Sequence, residues 1–202
     1  MLSDGLSAVW SPGDEIAVWA RSSSGVYAFS NQAFKTYGLD GSLGYFTSTL
    51  NSPMPSGNYT YFCCYPVPTS ISGTTARFTI PSVQDGKVTG GADIMIADPV
   101  SHGALTPVPD PEDHSGMSLE MNRMLHQFRF YVPDTDTKLG TAKIERIQLS
   151  FPTDVVGDIN LNILNPSQGP NLISGGSDVI LKLAEPISVS ESDDMQYACV
   201  AF

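Results

Sequence analysis

Apolar and polar positions along this chain alternate mainly with a period of two. Short alternating runs are punctuated by clusters of Gly, Pro, Ser, Asn and Asp: "SPGD" at 11–14, "SSSG" at 22–25, "LDGSLG" at 39–44, "NSPMPSGN" at 51–58, "ISGT" at 71–74, "QDGK" at 84–87 and "PDTDTKLG" at 133–140. Successive side chains of an extended backbone point to opposite faces. The pattern therefore predicts half-buried antiparallel strands joined by tight turns, an all-β sandwich or barrel of about seven or more strands. "EIAVWA" places Ile16 and Val18 on one face and Ala17 and Trp19 on the other, while "INLNIL" turns Ile159, Leu161 and Ile163 inward and Asn160 and Asn162 outward. "IERIQLSF" is expected to bury Ile147, Leu149 and Phe151, and "VILKL" sets Val179, Leu181 and Leu183 on one side.

"YTYFCCYPVP", residues 59–68, breaks the alternation. Tyr59, Tyr61, Cys63 and Tyr65 fall on one face, Thr60, Phe62 and Cys64 on the other, and both sets are largely apolar. A strand apolar on both sides belongs in the middle of a sheet. Pro66 and Pro68 lack an N–H and end it. From Met117 the signal is mixed: Met121, Met124, Leu125 and Phe128 fall at helical spacing, yet "FRFYV" at 128–132 alternates. A strand is expected from about Leu125, with a helical turn or two before it left open. The proline-rich stretch "SHGALTPVPDPEDHSG", 101–116, has no period and predicts a long surface loop available to a partner.

Composition narrows the function classes. At 202 residues the chain suits one large all-β domain or two small ones, and a single domain over 1–202 is expected. Hydrophobic residues make up 41% and charged residues only 15%, so the surface leans on Ser, Thr, Asn, Gln and Gly, as in many secreted β-proteins. A net charge of -11 repels nucleic acid and anionic headgroups, which argues against a nucleic-acid or membrane-surface partner. No run approaches the roughly 20 apolar residues that span a bilayer. "MLSDGLSAVW" lacks the basic flank and apolar centre of an export signal, so either the protein is cytosolic or a signal has been removed, and "QYACVAF" stops within an apolar run; neither end has the pattern of a natural domain end.

Candidate chemistry is thin. Cys63, Cys64 and Cys199 are odd in number, and two are adjacent, with thiols facing opposite ways on a strand; they make no disulfide framework. A reactive thiol needs a lowered pKa, whereas apolar neighbours such as Phe62 and Tyr65 raise it. Small hydrophobes inside a sheet are the expected role. His102, His114 and His126 have no metal-ligand spacing, and Asp134 and Asp136 lack the remaining ligands of a calcium loop. The acidic run "ESDD" at 191–194 reads as a solvated turn, and the sequon Asn58-Tyr59-Thr60 would matter only in a eukaryotic secretory pathway. There is no G-x-S-x-G and no glycine-rich phosphate cradle. Hence no catalytic residue, cofactor or metal ligand is assigned.

Four stretches taken in order resemble the fimbrillin family, pilin-like surface proteins of gut and oral anaerobic Gram-negative bacteria. They are "VWSPGDEIAVW" at 9–19, "YFCCYPVP" at 61–68, "GGADIMIAD" at 90–98 and "NRMLHQFRFYV" at 122–132. The resemblance covers about residues 9–132. It implies a transthyretin-like N-terminal sandwich, with the usual second sandwich absent from this chain. It also implies export as a lipoprotein, cleavage of an N-terminal segment and polymerisation by strand donation. The function implied is that of a non-catalytic fimbrial subunit or adhesin at the cell surface, in a fimbrium or on the outer membrane. Its partners would be other fimbrial subunits and a host or bacterial surface protein or glycan, with membrane contact only through the precursor's lipid anchor. Removing an edge strand from a sandwich leaves unpaired backbone groups over apolar core, and a neighbour's strand can fill that groove. If the segment before Ser3 supplied such a strand, the acceptor groove would border Ile16 and Val18. The alternative class is a glycan-binding or carbohydrate-active module using exposed aromatics such as Trp10, Trp19 or Tyr45; of these, Trp19 alternates with core residues and is expected to be buried.

Overall fold

The computed structural model describes residues 9–86, 92–107, 116–130, 143–188 and 196–201. Among them sixteen strands alternate with turns: β1 (Glu15–Ser22), β2 (Tyr27–Asp40), β3 (Leu43–Thr47), β4 (Asn58–Tyr65), β5 (Ser70–Ser72), β6 (Thr75–Ile80), β7 (Val83–Gln84) and β8 (Met95–Ala97) in the first half. The second half holds β9 (Val100–Gly103), β10 (Met121–Arg123), β11 (His126–Phe130), β12 (Lys143–Ser150), β13 (Val156–Asn162), β14 (Asn171–Gly176), β15 (Asp178–Ser188) and β16 (Gln196–Val200), with one 3-10 turn at Pro166–Gln168. The fold is all-β and almost wholly antiparallel, as the alternation requires. Two compact units can be distinguished, one of residues 1–76, 94–124 and 161–169, the other of residues 77–93, 125–160 and 170–202.

The first unit is built on a seven-stranded sheet in the order β10-β8-β4-β1-β2-β3, with β9 also on β4. β1 lies between β4 (Val18 opposite Cys63) and β2 (Val18 opposite Gln32). Ile16 through Ala20 are all buried, so β1 is apolar on both faces rather than half-buried as its pattern predicted. Its second face carries Ala17 and Trp19, which have no charge to keep in water. Trp19 is buried as expected, and its indole N–H has no hydrogen-bond partner among the described residues. β4 is central, as expected from its two apolar faces: Tyr59, Tyr61 and Cys63 join Ile16, Val18, Ala20 and Ala97 in one core cluster.

Two irregularities shape this sheet. β2 gains extra residues against β1 between Gln32 and Phe29 and again between Phe29 and Tyr27, and Asn31 takes φ 51. Such bulges bend and twist a strand. On the far edge of β4, β9 pairs from Asn58 to Tyr61 and β8 takes over at Cys64 and Tyr65. The change of partner falls at Asp98-Pro99, where proline has no N–H for the ladder.

Two expectations are amended here. The proposed loop at 101–116 begins later, because Ser101, His102 and Gly103 belong to β9, and Ala104 and Leu105 pack against the core cluster; residues 108–115 lie outside the described residues. The helical option before Leu125 is not taken up, since Met121–Arg123 form β10 on β8. The turns at "PDTDTKLG" and "ESDD" also lie outside the described residues.

In the second unit β12 pairs with β15, and the two residues of β7 add to β15 in parallel. Val179, Leu181 and Leu183 are buried, but Ile147, Leu149 and Phe151 are only half-buried. Phe151 instead rests on Phe128, with ring centroids 5.5 Å apart. β14, β13 and β6 form another sheet, and β11 pairs with β16. Ile159 and Leu161 on β13, with Ile163 just beyond it, are fully buried, in line with the inward set of "INLNIL". β13 and β14 approach through opposed glycines, Gly157 against Gly175. A Cβ on Gly157, whose φ is 124, would lie 2.2 Å from the Ser174 carbonyl oxygen. Beside this pair Asp158 accepts hydrogen bonds from Thr79 (2.7 Å) and from the Arg77 guanidinium. Those bonds, with the Arg77 charge and a further bond from Ser174, hold its carboxyl below the ordinary value of 3.8.

Two outcomes follow. Gly157→Ala should destabilise the protein by about 3 kcal/mol in urea unfolding, through strain and backbone clash. Gly176→Ala, whose Cβ would meet nothing within 4 Å, should change stability by less than about 1 kcal/mol. Because the folded-state pKa of Asp158 is depressed, its contribution is present above the unfolded value and is lost as pH falls through the folded one. Thermal unfolding followed from neutral pH downward should show Asp158→Asn less stable than the parent near neutrality, with the difference closing as pH falls below the ordinary carboxylate range.

Candidate functional site

The cysteines come first because the sequence made them conspicuous. Cys63 and Cys64 are free thiols with no exposure, held on opposite faces of β4. Burial pushes both thiols well above their ordinary pKa, Cys64 additionally through its neighbour Cys63. A thiol kept protonated is neither a nucleophile nor a metal ligand at neutral pH. Among the described residues no group of three His, Cys, Asp or Glu side chains could hold a metal ion. His102 lies exposed on β9 beside the Tyr61 ring, at 6.3 Å, and His126 is exposed on β11. The two histidines do not share an element, and His114 is outside the described residues.

A small concavity of about 310 Å³ between the first turn and the end of β4 includes Asp14 and Glu15. Both carboxylates are already engaged. Asp14 accepts the Ser11 amide at 2.7 Å, closing the "SPGD" turn, and Glu15 pairs with Lys35 at 3.6 Å across the β1–β2 ladder. They fasten a hairpin.

Ile16 and Val18, the expected border of a strand-accepting groove, sit on the core face of β1 with strands on both its edges. A further strand cannot pair with β1. The open margin lies two strands away at β3, which among the described residues pairs only with β2. Its sequence, "LGYFT", carries none of the lysine, proline or inward charge that usually protects an edge. Leu43 is 58% exposed there, and Leu39 and Tyr37 on the adjoining end of β2 are 41% and 40% exposed. Tyr45 is half-buried, its ring 3.3 Å from where a Cβ on Gly38 would stand and 6.2 Å from the Tyr37 ring. Trp10 is committed to packing: it meets Phe46 and Tyr65 edge-on at 4.9 and 5.2 Å, in space that Gly44 leaves by having no side chain.

A larger concavity, about 570 Å³, lies along β2 on the margin that β3 does not reach. Its walls come from the β1–β2 turn and first half of β2, including Tyr27, Phe29 and Gln32, and from residues 50–55, with Tyr59 also contributing. Gln32 donates to Ser48 at 2.8 Å, and Ser48 donates to the Ala33 carbonyl at 2.6 Å, which ties the chain leaving β3 to β2. The Tyr59 hydroxyl donates to the Pro55 carbonyl at 2.9 Å and holds the other wall. Sequence reading missed this site. The stretch 51–58 registered only as a turn, and the bulges at Ala28 and Asn31 hide the alternation of β2.

Comparison with known proteins gives the fold a context. No family model matches the chain, and no curated protein does. Among solved structures, the chain resembles a candidate cell adhesion protein of Bacteroides uniformis, with TM-score 0.68 and 12% identity over 96% of this chain and 70% of that one. It also resembles a candidate cell adhesion protein of Bacteroides ovatus, with TM-score 0.58 and 13% identity over the same shares. At such identities the likeness is one of fold.

The buried thiols give a direct check. A water-soluble thiol reagent, read out peptide by peptide in a mass spectrometer, should leave Cys63 and Cys64 unmodified in the folded protein and label both in denaturant. Replacing both by alanine should cost about 1–3 kcal/mol through the cavities left behind.

Proposed function

We propose that the chain is a non-catalytic adhesion module of a bacterial cell surface, exported as a lipoprotein and joined to neighbouring subunits of a fimbrium by strand addition at β3. The observation that carries the proposal is the β3 margin: an unprotected, uncharged edge strand flanked by exposed Leu39, Leu43 and Tyr37. An incoming strand there would gain backbone hydrogen bonds along its length and cover those side chains. The family resemblance of residues 9–132 and the fold shared with the two Bacteroides proteins support the same assignment. The carboxylates of the smaller concavity hold turn and ladder, which favours binding over hydrolysis.

Charge on the edge should block addition without harming the fold. In cells producing the full-length protein, Leu43→Lys with Thr47→Lys should reduce assembled species at least tenfold on unheated denaturing gels, while the unfolding midpoint of the purified chain stays within about 2 °C of the parent. Assembly at parental levels in this variant would exclude β3 as the joining edge.

A further inference from the structure

We propose that the concavity between β2 and residues 50–55 binds a neutral glycan of two or three sugar units, which makes it the attachment site of the adhesion module; the inference rests on that adhesive assignment. Its volume of about 570 Å³ falls within the roughly 300–1,000 Å³ of small-molecule sites. Tyr27, Phe29 and Tyr59 supply aromatic surface to it. The apolar C–H faces of sugar rings pack on such surface, while their hydroxyls need neutral donors and acceptors at the rim. Those groups are present: the side chains of Asn51 and Ser52 and the hydroxyl of Tyr27 have no hydrogen-bond partner among the described residues. Gln32 and Tyr59, by contrast, are held by Ser48 and Pro55, so the walls that carry the aromatic rings are fixed before a ligand arrives.

Charge selects the class of glycan. The pocket wall contains no Asp, Glu, Lys, Arg or His. The nearby Arg21 guanidinium donates through Nε to the Gly25 carbonyl at 3.3 Å and lies with its centre 5.8 Å from the Tyr27 ring centroid. With a chain charge of -11, sialylated or sulfated chains are repelled at long range. A peptide strand fits less well. Its ladder would run along the part of β2 that carries both bulges, where the regular repeat is lost, and would face Pro53 and Pro55, which have no N–H to offer.

The test uses the full chain labelled with nitrogen-15 and titrated with mannotriose, cellotriose and N-acetylchitotriose, with sialyllactose as the acidic control. At least one neutral trisaccharide should produce saturable amide shifts concentrated at residues 22–32 and 50–55, and Tyr27→Ala with Asn51→Ala should weaken it at least tenfold while leaving the rest of the spectrum in place. The proposal is overturned by no saturation at 10 mM for any neutral sugar, by preference for sialyllactose, or by shifts centred elsewhere. Cells displaying the chain separate this inference from the adhesive assignment: adherence that survives the double substitution leaves adhesion standing and removes the glycan pocket, whereas absence of adherence by the parent chain counts against adhesion itself.

Discussion

Everything in the first unit depends on β1 and β4 lying side by side with both faces buried. An interior strand can satisfy its backbone only through neighbours on both edges, and β1 and β4 each have them. It must also carry apolar side chains in both directions. Here that is met by a mixture of sizes: Trp19, Tyr61 and Phe62 supply surface, while Ala17, Ala20, Cys63 and Cys64 let packed layers come close. The Tyr61 hydroxyl donates to the Gly103 carbonyl at 2.7 Å and so ties β9 to the centre of the sheet.

From that regular centre, irregularity increases outward, and a concave surface appears where regularity fails. The two extra residues of β2 twist it away from a flat ladder, and the chain leaving β3 is tied to Ala33 by a side chain instead of continuing as a strand. A concavity remains between them. On the opposite side of β4 a single proline divides what would be one long partner into β8 and β9. Rigid strands thus set the position of segments that are not themselves strands, the usual division between scaffold and recognition surface.

The fold class was legible because burial imposes a period of two, and it was most legible where one physical demand acted alone. The alternation of "VILKL" and "INLNIL", and the doubly apolar "YTYFCCY", map onto β15, β13 and β4 with the expected buried sets. Where two demands compete, the pattern blurred. Met121, Met124, Leu125 and Phe128 fall at helical spacing by coincidence, because β10 and β11 are separate short strands with a break between them. β2, the longest strand, went unnoticed since its bulged stretch shifts the inward set at Asn31, from Tyr27 and Phe29 to Gln32 and Phe34. The concavity was invisible for a related reason: it joins residues 22–32 to 50–55, and nothing local in either stretch announces the other. The adjacent cysteines were legible too: apolar neighbours on both sides marked them as core residues, and their burial makes them inert.

The sealed thiols carry a consequence for the life history of the chain. Once β1 and β4 have closed, Cys63 and Cys64 are indifferent to the redox state around them, so passage from a reducing to an oxidising compartment leaves the finished core unchanged. Their vulnerability lies in time rather than in place: an unfolded chain presents both sulfurs to oxidants and to other thiols, and an oxidised sulfur is too large and too polar for the space it must later enter. Speed of closure at the centre of the sheet therefore acts as the protection that a disulfide framework gives to disulfide-bonded proteins.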